Sequence, residues 1–277
     1  MKKILVLFFL ALCNAVFAGD SLVLIHGYGG SANSWHKHNV TRALAADGWR
    51  VAGYGFFDYR YGVYLDRLPI SGAGRIYILQ VPYRAPISYQ AQVVEDMLHK
   101  ISKQRPDDNL HLVGHSAGGV VARLVVVGNK FAKIKTLITI ASPHFGTRRA
   151  EMALDLTDLS FPFSEMAEAA GGKEYDKFQQ AEGLFRDLAR PRPGTFLNWL
   201  NWQSHPDINY YSIVRKRKSF FSRDLLVPTI SQDMGLIPVL HDRTRTILAG
   251  KSHGLKARDG FAIARIMREV LGKPQAR

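Results

Sequence analysis

LHLVGHSAGG, residues 110–119, is the stretch on which the fold reading turns: a short apolar run that passes directly into Gly-His-Ser-Ala-Gly-Gly, with Ser116 at its centre. The pattern reads as a buried strand that turns sharply into a helix, holding a serine at the elbow. Such a turn is tight and strained, so small residues are needed on both sides: Gly114 before the serine, and Gly118 after it, where a side chain would strike the preceding strand. On the strand side Leu110, Leu112 and Val113 suit burial, and on the helix side Val120, Val121, Leu124 and Val125 recur at helical spacing.

Working outward, strand-like and helix-like segments alternate, which predicts a mostly parallel sheet covered by helices on both faces. Ser21 to Ile25 (SLVLI) reads as a buried strand ending at His26-Gly27-Tyr28-Gly29-Gly30. A helix is predicted near 35–47, closed by Gly48, then a strand from Trp49 to Gly53. Residues 54–75, rich in Tyr and Gly, read as an irregular excursion or hairpin before a strand from Ile76 to Val81. The apolar spacing of Val93, Val94, Met97, Leu98 and Ile101 predicts an amphipathic helix over 88–103 with Ser88 as its cap. Further strands are predicted at Lys135–Ile140, near Ile208–Val214 and at Thr244–Leu248, and a last helix from about Lys256 to Leu271 buries Phe261, Ile263, Ile266, Met267 and Val270. Residues 147–206 break the alternation and read as an insertion. Their apolar side chains, among them Phe161, Phe163, Met166, Leu184, Phe185, Leu188, Phe196, Leu197, Trp199, Leu200 and Trp202, suit a lid over an acyl-binding cleft.

A serine hydroxyl is a poor nucleophile until a base takes its proton, so an elbow serine implies a histidine and an acid at the carboxyl edge of the sheet. Asp224, in the loop after the strand near 208–214, and His253, a few residues after Thr244–Leu248, follow Ser116 in the order that this architecture imposes. Asp233 and Asp242 compete for the acid, and His241 for the base. Asp224 is favoured by its place after a strand end with a Val-Pro stop, and His253 because His241 precedes its strand and belongs to the opposite edge. The oxyanion formed by attack needs two backbone N–H donors. Ala117, after the nucleophile, supplies one, and Tyr28, in the Gly-rich loop after the first strand, supplies the other. His26 reads as architectural in that loop.

HGYGG (26–30), GHSAGG (114–119), ASPHFGT (141–147), DLLVP (224–228) and KSHG (251–254) together resemble an α/β-hydrolase close to bacterial lipases and carboxylesterases. The resemblance covers most of the chain after residue 18, except 54–75 and the interior of 147–206. It implies a serine hydrolase acting on carboxylic esters through Ser116, His253 and Asp224, with the oxyanion donor after the first His-Gly pair falling on Tyr28 and the Ser-Pro-His segment leading into a lid. Some lipases of the family carry a structural calcium near the acid and base loops, for which no ligands are assigned here. No other metal or cofactor is expected: His36 and His38 lack further ligands at zinc spacing, and Gly250-Lys251-Ser252 lacks the first glycine of a phosphate-binding loop.

The opening MKKILVLFFLALCNAVFA has a basic start, a short apolar core and small residues before a cut after Ala18, the pattern of a secretory signal peptide too short to span a bilayer. It contains Cys13, the only cysteine, so the remaining 259 residues, expected to fold as one domain, would hold no disulfide. Loss of Lys2 and Lys3 lowers the formal net charge from +14 to +12. An exported basic chain is expected to meet an anionic membrane or polymer surface rather than nucleic acid. Arg215-Lys216-Arg217-Lys218, followed by Phe220 and Phe221, is the densest basic cluster, read either as a solvated loop or as an interfacial one. Two other readings stay open. One is a phospholipase or thioesterase whose basic loop engages an anionic headgroup or carrier. The other is a surface-binding protein that keeps the fold without activity.

Overall fold

The computed structural model describes residues 19–69, 74–157, 179–215 and 226–272. The predicted signal peptide, Asp224, Lys216 to Lys218, Phe220 and Phe221, and Phe161, Phe163 and Met166 of the predicted lid all lie outside the described residues. Eight strands, β1 (Asp20–Ile25), β2 (Arg50–Asp58), β3 (Gly62–Arg67), β4 (Gly74–Leu79), β5 (Asn109–His115), β6 (Ile134–Ile140), β7 (Asn209–Val214) and β8 (Thr244–Leu248), form one sheet. Their order is β3-β2-β4-β1-β5-β6-β7-β8. Every pairing is parallel except β2 with β3. Parallel strands need crossovers, and helices supply them: α1 (Ser34–Lys37), α2 (Val40–Ala46), α3 (Ile87–Gln104), α4 (Ala117–Gly128), α5 (Arg148–Thr157), α6 (Glu182–Asp187), α7 (Phe196–Asn201) and α8 (Ala257–Val270).

Alternation along each strand sends neighbouring side chains to opposite faces, and each face has its own core. Val23 and Ile25 of β1 join Leu112, Leu79 and the apolar faces of α3 and α4 on one side. Leu22 and Leu24 meet Trp35, Val40, Leu44, Ile263 and Met267 on the other. In α3, Ile87, Val94, Met97, Leu98 and Ile101 are all fully buried. At about 1.5–3 kcal/mol for each such side chain, burial far outweighs the few tenths of a kcal/mol by which helix propensities differ. That is why periodicity locates this helix well.

Four expectations require correction. The helix predicted over 35–47 is two pieces, because Asn39 adopts a left-handed conformation with φ 58° between α1 and α2. The second strand runs five residues beyond Gly53 to Asp58, and most of the Tyr- and Gly-rich stretch is a hairpin, β2 turning through Tyr59–Tyr61 into β3 at the sheet edge. Ser88 does not cap α3. Pro86 precedes the first helical residue, and the Ile87 N–H donates to Asp187 Oδ2 at 2.7 Å, a partner exactly one hundred residues away in sequence that local patterns could not reveal. Phe261 is exposed, because it shares the solvent face of α8 with Arg265, whereas Ile263, Ile266 and Met267 face the sheet.

The block 147–206 also differs from a separate cover at its described ends. Ala150, Ala153, Leu184, Leu188, Leu197 and Leu200 of this block belong to the same buried core as α3 and α4. Trp199 and Trp202 are exposed. Phe185 does approach the predicted site, with its ring 5.2 Å from that of Tyr28.

Candidate active site

Because β1, β4, β5, β6, β7 and β8 are parallel, the segments that follow them leave the sheet at one edge, and there the candidate residues gather. Register places Ile25 beside Gly114 and His115 beside Ile140, so the loop after β1 and the elbow after β5 emerge side by side. Ser116 has φ 54° and ψ −128°, a conformation that costs a non-glycine residue about 1–3 kcal/mol. Its N–H donates to Ile140 O at 2.9 Å, and the Gly119 N–H donates to Ser116 O at 3.0 Å.

The glycines explain how closely the elements approach. A Cβ at Gly114 would lie 2.4 Å from Gly118 O and Gly119 Cα, across the turn itself. One at Gly118 would lie 2.4 Å from His26 O and 2.5 Å from Ile25 O, where α4 begins under the end of β1. Gly118→Ala therefore sets two effects against each other. A helical alanine is favoured over glycine by about 1 kcal/mol, but forcing backbone apart in a packed core costs about 1–3 kcal/mol or more. Both contacts are to main-chain oxygens that cannot swing aside, so the clash should win and the urea midpoint should fall. An unchanged or raised midpoint would show that the turn can open.

The oxyanion loop abuts the elbow. A Cβ at Gly27 would lie 2.8 Å from Ser116 Cβ and 3.1 Å from Ala117 N, so only glycine lets residues 27–28 pass this close to the serine. His26 fastens the loop from within: its Nδ1–H donates to Gly27 O at 3.0 Å and its Nε2 accepts from the Val81 N–H at 3.2 Å. Both nitrogens are engaged in the neutral form, and burial lowers its pKa to about 4.

Across the elbow, His253 Nε2 is 3.0 Å from Ser116 Oγ, the distance of a hydrogen bond in which the hydroxyl donates. The loop carrying His253 is held from two sides, by His115, which the sequence reading did not single out, and by Arg215, which it placed in a basic cluster. His115 Nε2–H donates to His253 O at 2.9 Å, and burial, followed by the charge of His253, pushes the His115 pKa down to about 3. Arg215 leaves the end of β7 and is 1% exposed; its Nη1 and Nη2 meet Asp259 Oδ1 and Oδ2 at 2.6 and 3.0 Å. The same guanidinium donates to Ala249 O at 3.0 Å and Gly254 O at 3.4 Å, so it grips both ends of the His253 loop.

For Arg215 this corrects the reading of a solvated or interfacial side chain, since it is buried and paired with Asp259. The apolar run Tyr210–Val214 immediately before it was the available signal. Arg215→Leu would leave the fully buried Asp259 carboxylate without its cation, a loss that costs about 3–5 kcal/mol. Urea denaturation should register that loss; a change below about 1 kcal/mol would mean that the pair does not hold the loop.

The rival candidates are placed elsewhere. Asp233 Oδ1 accepts from the Gly235 N–H at 2.8 Å and the Thr246 hydroxyl at 2.7 Å, a local turn role. His241 Nδ1 is 2.9 Å from Gly235 O, and His241 and Asp242 are exposed just before the amino end of β8, away from the edge that carries Ser116. Within ASPHFGT, His144 is fully buried, receives Arg123 Nη1–H at Nδ1 (3.2 Å) and bonds Thr139 through Nε2 (3.1 Å), while Arg123 also reaches Asn201 at 2.5 Å. That segment braces α4 from behind. Among the described residues no three His, Cys, Asp or Glu side chains converge.

A family model described as the alpha/beta hydrolase fold matches residues 20–169, more than half of the chain. The chain belongs to the alpha/beta hydrolase family. This hydrolase matches no curated protein by sequence. Among solved structures it is similar to the lin2722 gene product of Listeria innocua, at a TM-score of 0.64 and 14% identity, covering 93% of this chain and 96% of that one. It is also similar to the mature Bacillus licheniformis lipase BlEst2, at 0.59 and 15%, covering 91% and 92%. A metagenomic carboxyl esterase, MGS0156, matches at 0.51 and 16%, covering 92% and 76%. At these identities the likeness is one of fold.

Proposed function

We propose that this alpha/beta hydrolase is an exported serine hydrolase that cleaves carboxylic esters, with Ser116 as nucleophile and His253 as base. The observation that carries the proposal is the 3.0 Å contact between His253 Nε2 and the hydroxyl of a serine held in a strained elbow. In the first step Ser116 Oγ attacks the ester carbonyl carbon while its proton passes to His253 Nε2, and the carbonyl oxygen becomes an oxyanion facing the Tyr28 and Ala117 N–H groups. Collapse expels the alcohol, which takes that proton from His253 and leaves an acyl-enzyme. Water, deprotonated by the same imidazole, then releases the acid and regenerates Ser116. Asp224 is the residue assigned to orient His253 through Nδ1.

Export rests on the opening eighteen residues, and the acyl chain is assigned to the side of the 147–206 segment, which Phe185 brings beside Tyr28. A phospholipase or thioesterase reading loses Arg215, one of its four proposed anion contacts, to the buried pair with Asp259. The test is labelling with a fluorophosphonate, which reacts only with an activated serine. The wild-type protein should gain one adduct on Ser116, and Ser116→Ala should gain none. A correctly folded wild type that takes no label would return the reading to a binding protein with a silent hydrolase fold.

A further inference from the structure

The hairpin β2–β3 does more than close the sheet edge. Its Phe57 and Tyr59, with Gln80, Val81, Pro82, Tyr83 and Arg84 after β4, line an open cleft of about 250 Å³. The cleft adjoins the oxyanion loop through a continuous series of rings. Tyr83 meets Tyr28 edge-on at 5.8 Å, and Tyr28 meets Phe185 at 5.2 Å. On the outer side Phe57 is edge-on to Tyr59 at 4.9 Å and to Tyr89 at 5.8 Å. The Arg84 guanidinium lies 5.3 Å over the Tyr83 ring.

The polar groups of the cleft floor are already committed. Gln80 Oε1 accepts from the Ala32 N–H, the Gln80 N–H donates to Gly55 O, and the Val81 N–H donates to His26. What remains for a ligand is ring surface, since Arg84 Nη1 already donates to Gln180 Oε1, and Tyr59 stands 80% exposed beside Phe57. Such a surface selects a planar apolar group by edge and face contacts. Pockets that enclose a whole drug-sized ligand run from about 300 to 1,000 Å³, so a space of this size suits one ring of a larger molecule.

We propose that this cleft binds a ring-bearing arm of the ester substrate, an arene on a short linker, while the ester carbonyl lies at Tyr28 and Ala117. The proposal rests on the serine hydrolase reading for the placement of the carbonyl, but not for the binding of the ring. The arm can belong to the alcohol or to the acid, and the two are separable. Propyl acetate against 3-phenylpropyl acetate, and propyl propanoate against propyl 3-phenylpropanoate, each differ by one phenyl group and have alkoxide leaving groups of nearly equal basicity, so the ratio of kcat/KM within each pair reports the ring.

One of the two ring-bearing esters should exceed its ring-free counterpart by about tenfold, and which one does so assigns the arm. In Tyr59→Ala that ratio should fall towards one, and in Tyr59→Phe, which keeps the ring, it should survive. Binding of 3-phenylpropan-1-ol, followed by saturation-transfer NMR on wild type and Tyr59→Ala, gives a reading independent of turnover. Ring-dependent binding that Tyr59→Ala abolishes supports the cleft even if no ester is cleaved, an outcome that would sink only the hydrolase reading. Equal binding by both proteins, or a ratio that Tyr59→Ala leaves intact, overturns the cleft.

Discussion

Ser116→Ala is expected to lower kcat for a simple ester by about 10⁴- to 10⁶-fold with little change in KM, because it removes the atom that forms the acyl bond while leaving the binding surface in place. His253→Ala should fall into the same range, since an elbow serine without a base at 3.0 Å is only an alcohol. The two losses should not multiply. Nucleophile and base act as one unit, so the double variant should be about as slow as either single one, with the residual rate supplied by the Tyr28 and Ala117 N–H groups. His241→Ala, on the other side of β8, should remain near wild type. Single-turnover and steady-state rates on the same ester decide the matter: a double variant much slower than both singles would show that Ser116 and His253 act independently, contrary to the mechanism.

The second large effect is on stability in mild acid. Four histidines are buried in the neutral form: His26 and His205, each with a pKa lowered to about 4, His115 lowered to about 3, and His144 well below its ordinary value, in every case chiefly by burial. All four folded pKa values lie below the unfolded value of 6.5, so the unfolded chain takes up the protons first. Their stabilisation is therefore complete above about pH 6.5 and is lost as the pH falls from there towards 4. Each histidine changes stability by about 1.4 kcal/mol per pH unit in that window, and four acting together by about 5 kcal/mol per unit, as much as the whole stability of many domains. Asp187, raised by burial, works in the opposite direction, but it is one group. Urea midpoints at pH 7.5, 6 and 5 should drop steeply, and His205→Gln should flatten the slope. A flat profile from pH 7.5 to 5 would show that the folded state admits protons at these sites.

The parts of this fold that were legible in the sequence are those fixed by short-range sterics and periodic burial. Gly114, Gly118 and Ser116 declare a turn that few other residues could make, and the apolar runs of β1, β5, β6 and β8 lie within a residue of their observed limits. The hairpin stood as only one of two readings of 54–75 because its Tyr and Gly residues lack clean alternation: Tyr54, Phe56 and Tyr64 stack on one another at the sheet edge, each half-buried or exposed. Phe261 was misjudged because hydrophobicity alone does not fix the phase of a helix. The supports of the base loop were hidden for another reason. His115 is the unspecified residue between Gly114 and Ser116 of the elbow, and Arg215 heads a run of charges that reads as a solvated or an interfacial loop. Burial of a charge depends on a partner distant in sequence, here Asp259, and the apolar run before Arg215 marks only its place at a strand end.

The Arg215–Asp259 clamp also bears on when catalytic power can arise during synthesis. Ribosomes deliver the elbow more than a hundred residues before the imidazole that must activate it, and the strut that steadies that imidazole is finished only when the first turn of the last helix has docked against the end of β7. A partly emerged chain can already have formed β1, β5 and the oxyanion loop, yet it holds an inert hydroxyl. On the serine hydrolase reading, activity waits until the segment carrying Asp259 has docked on Arg215.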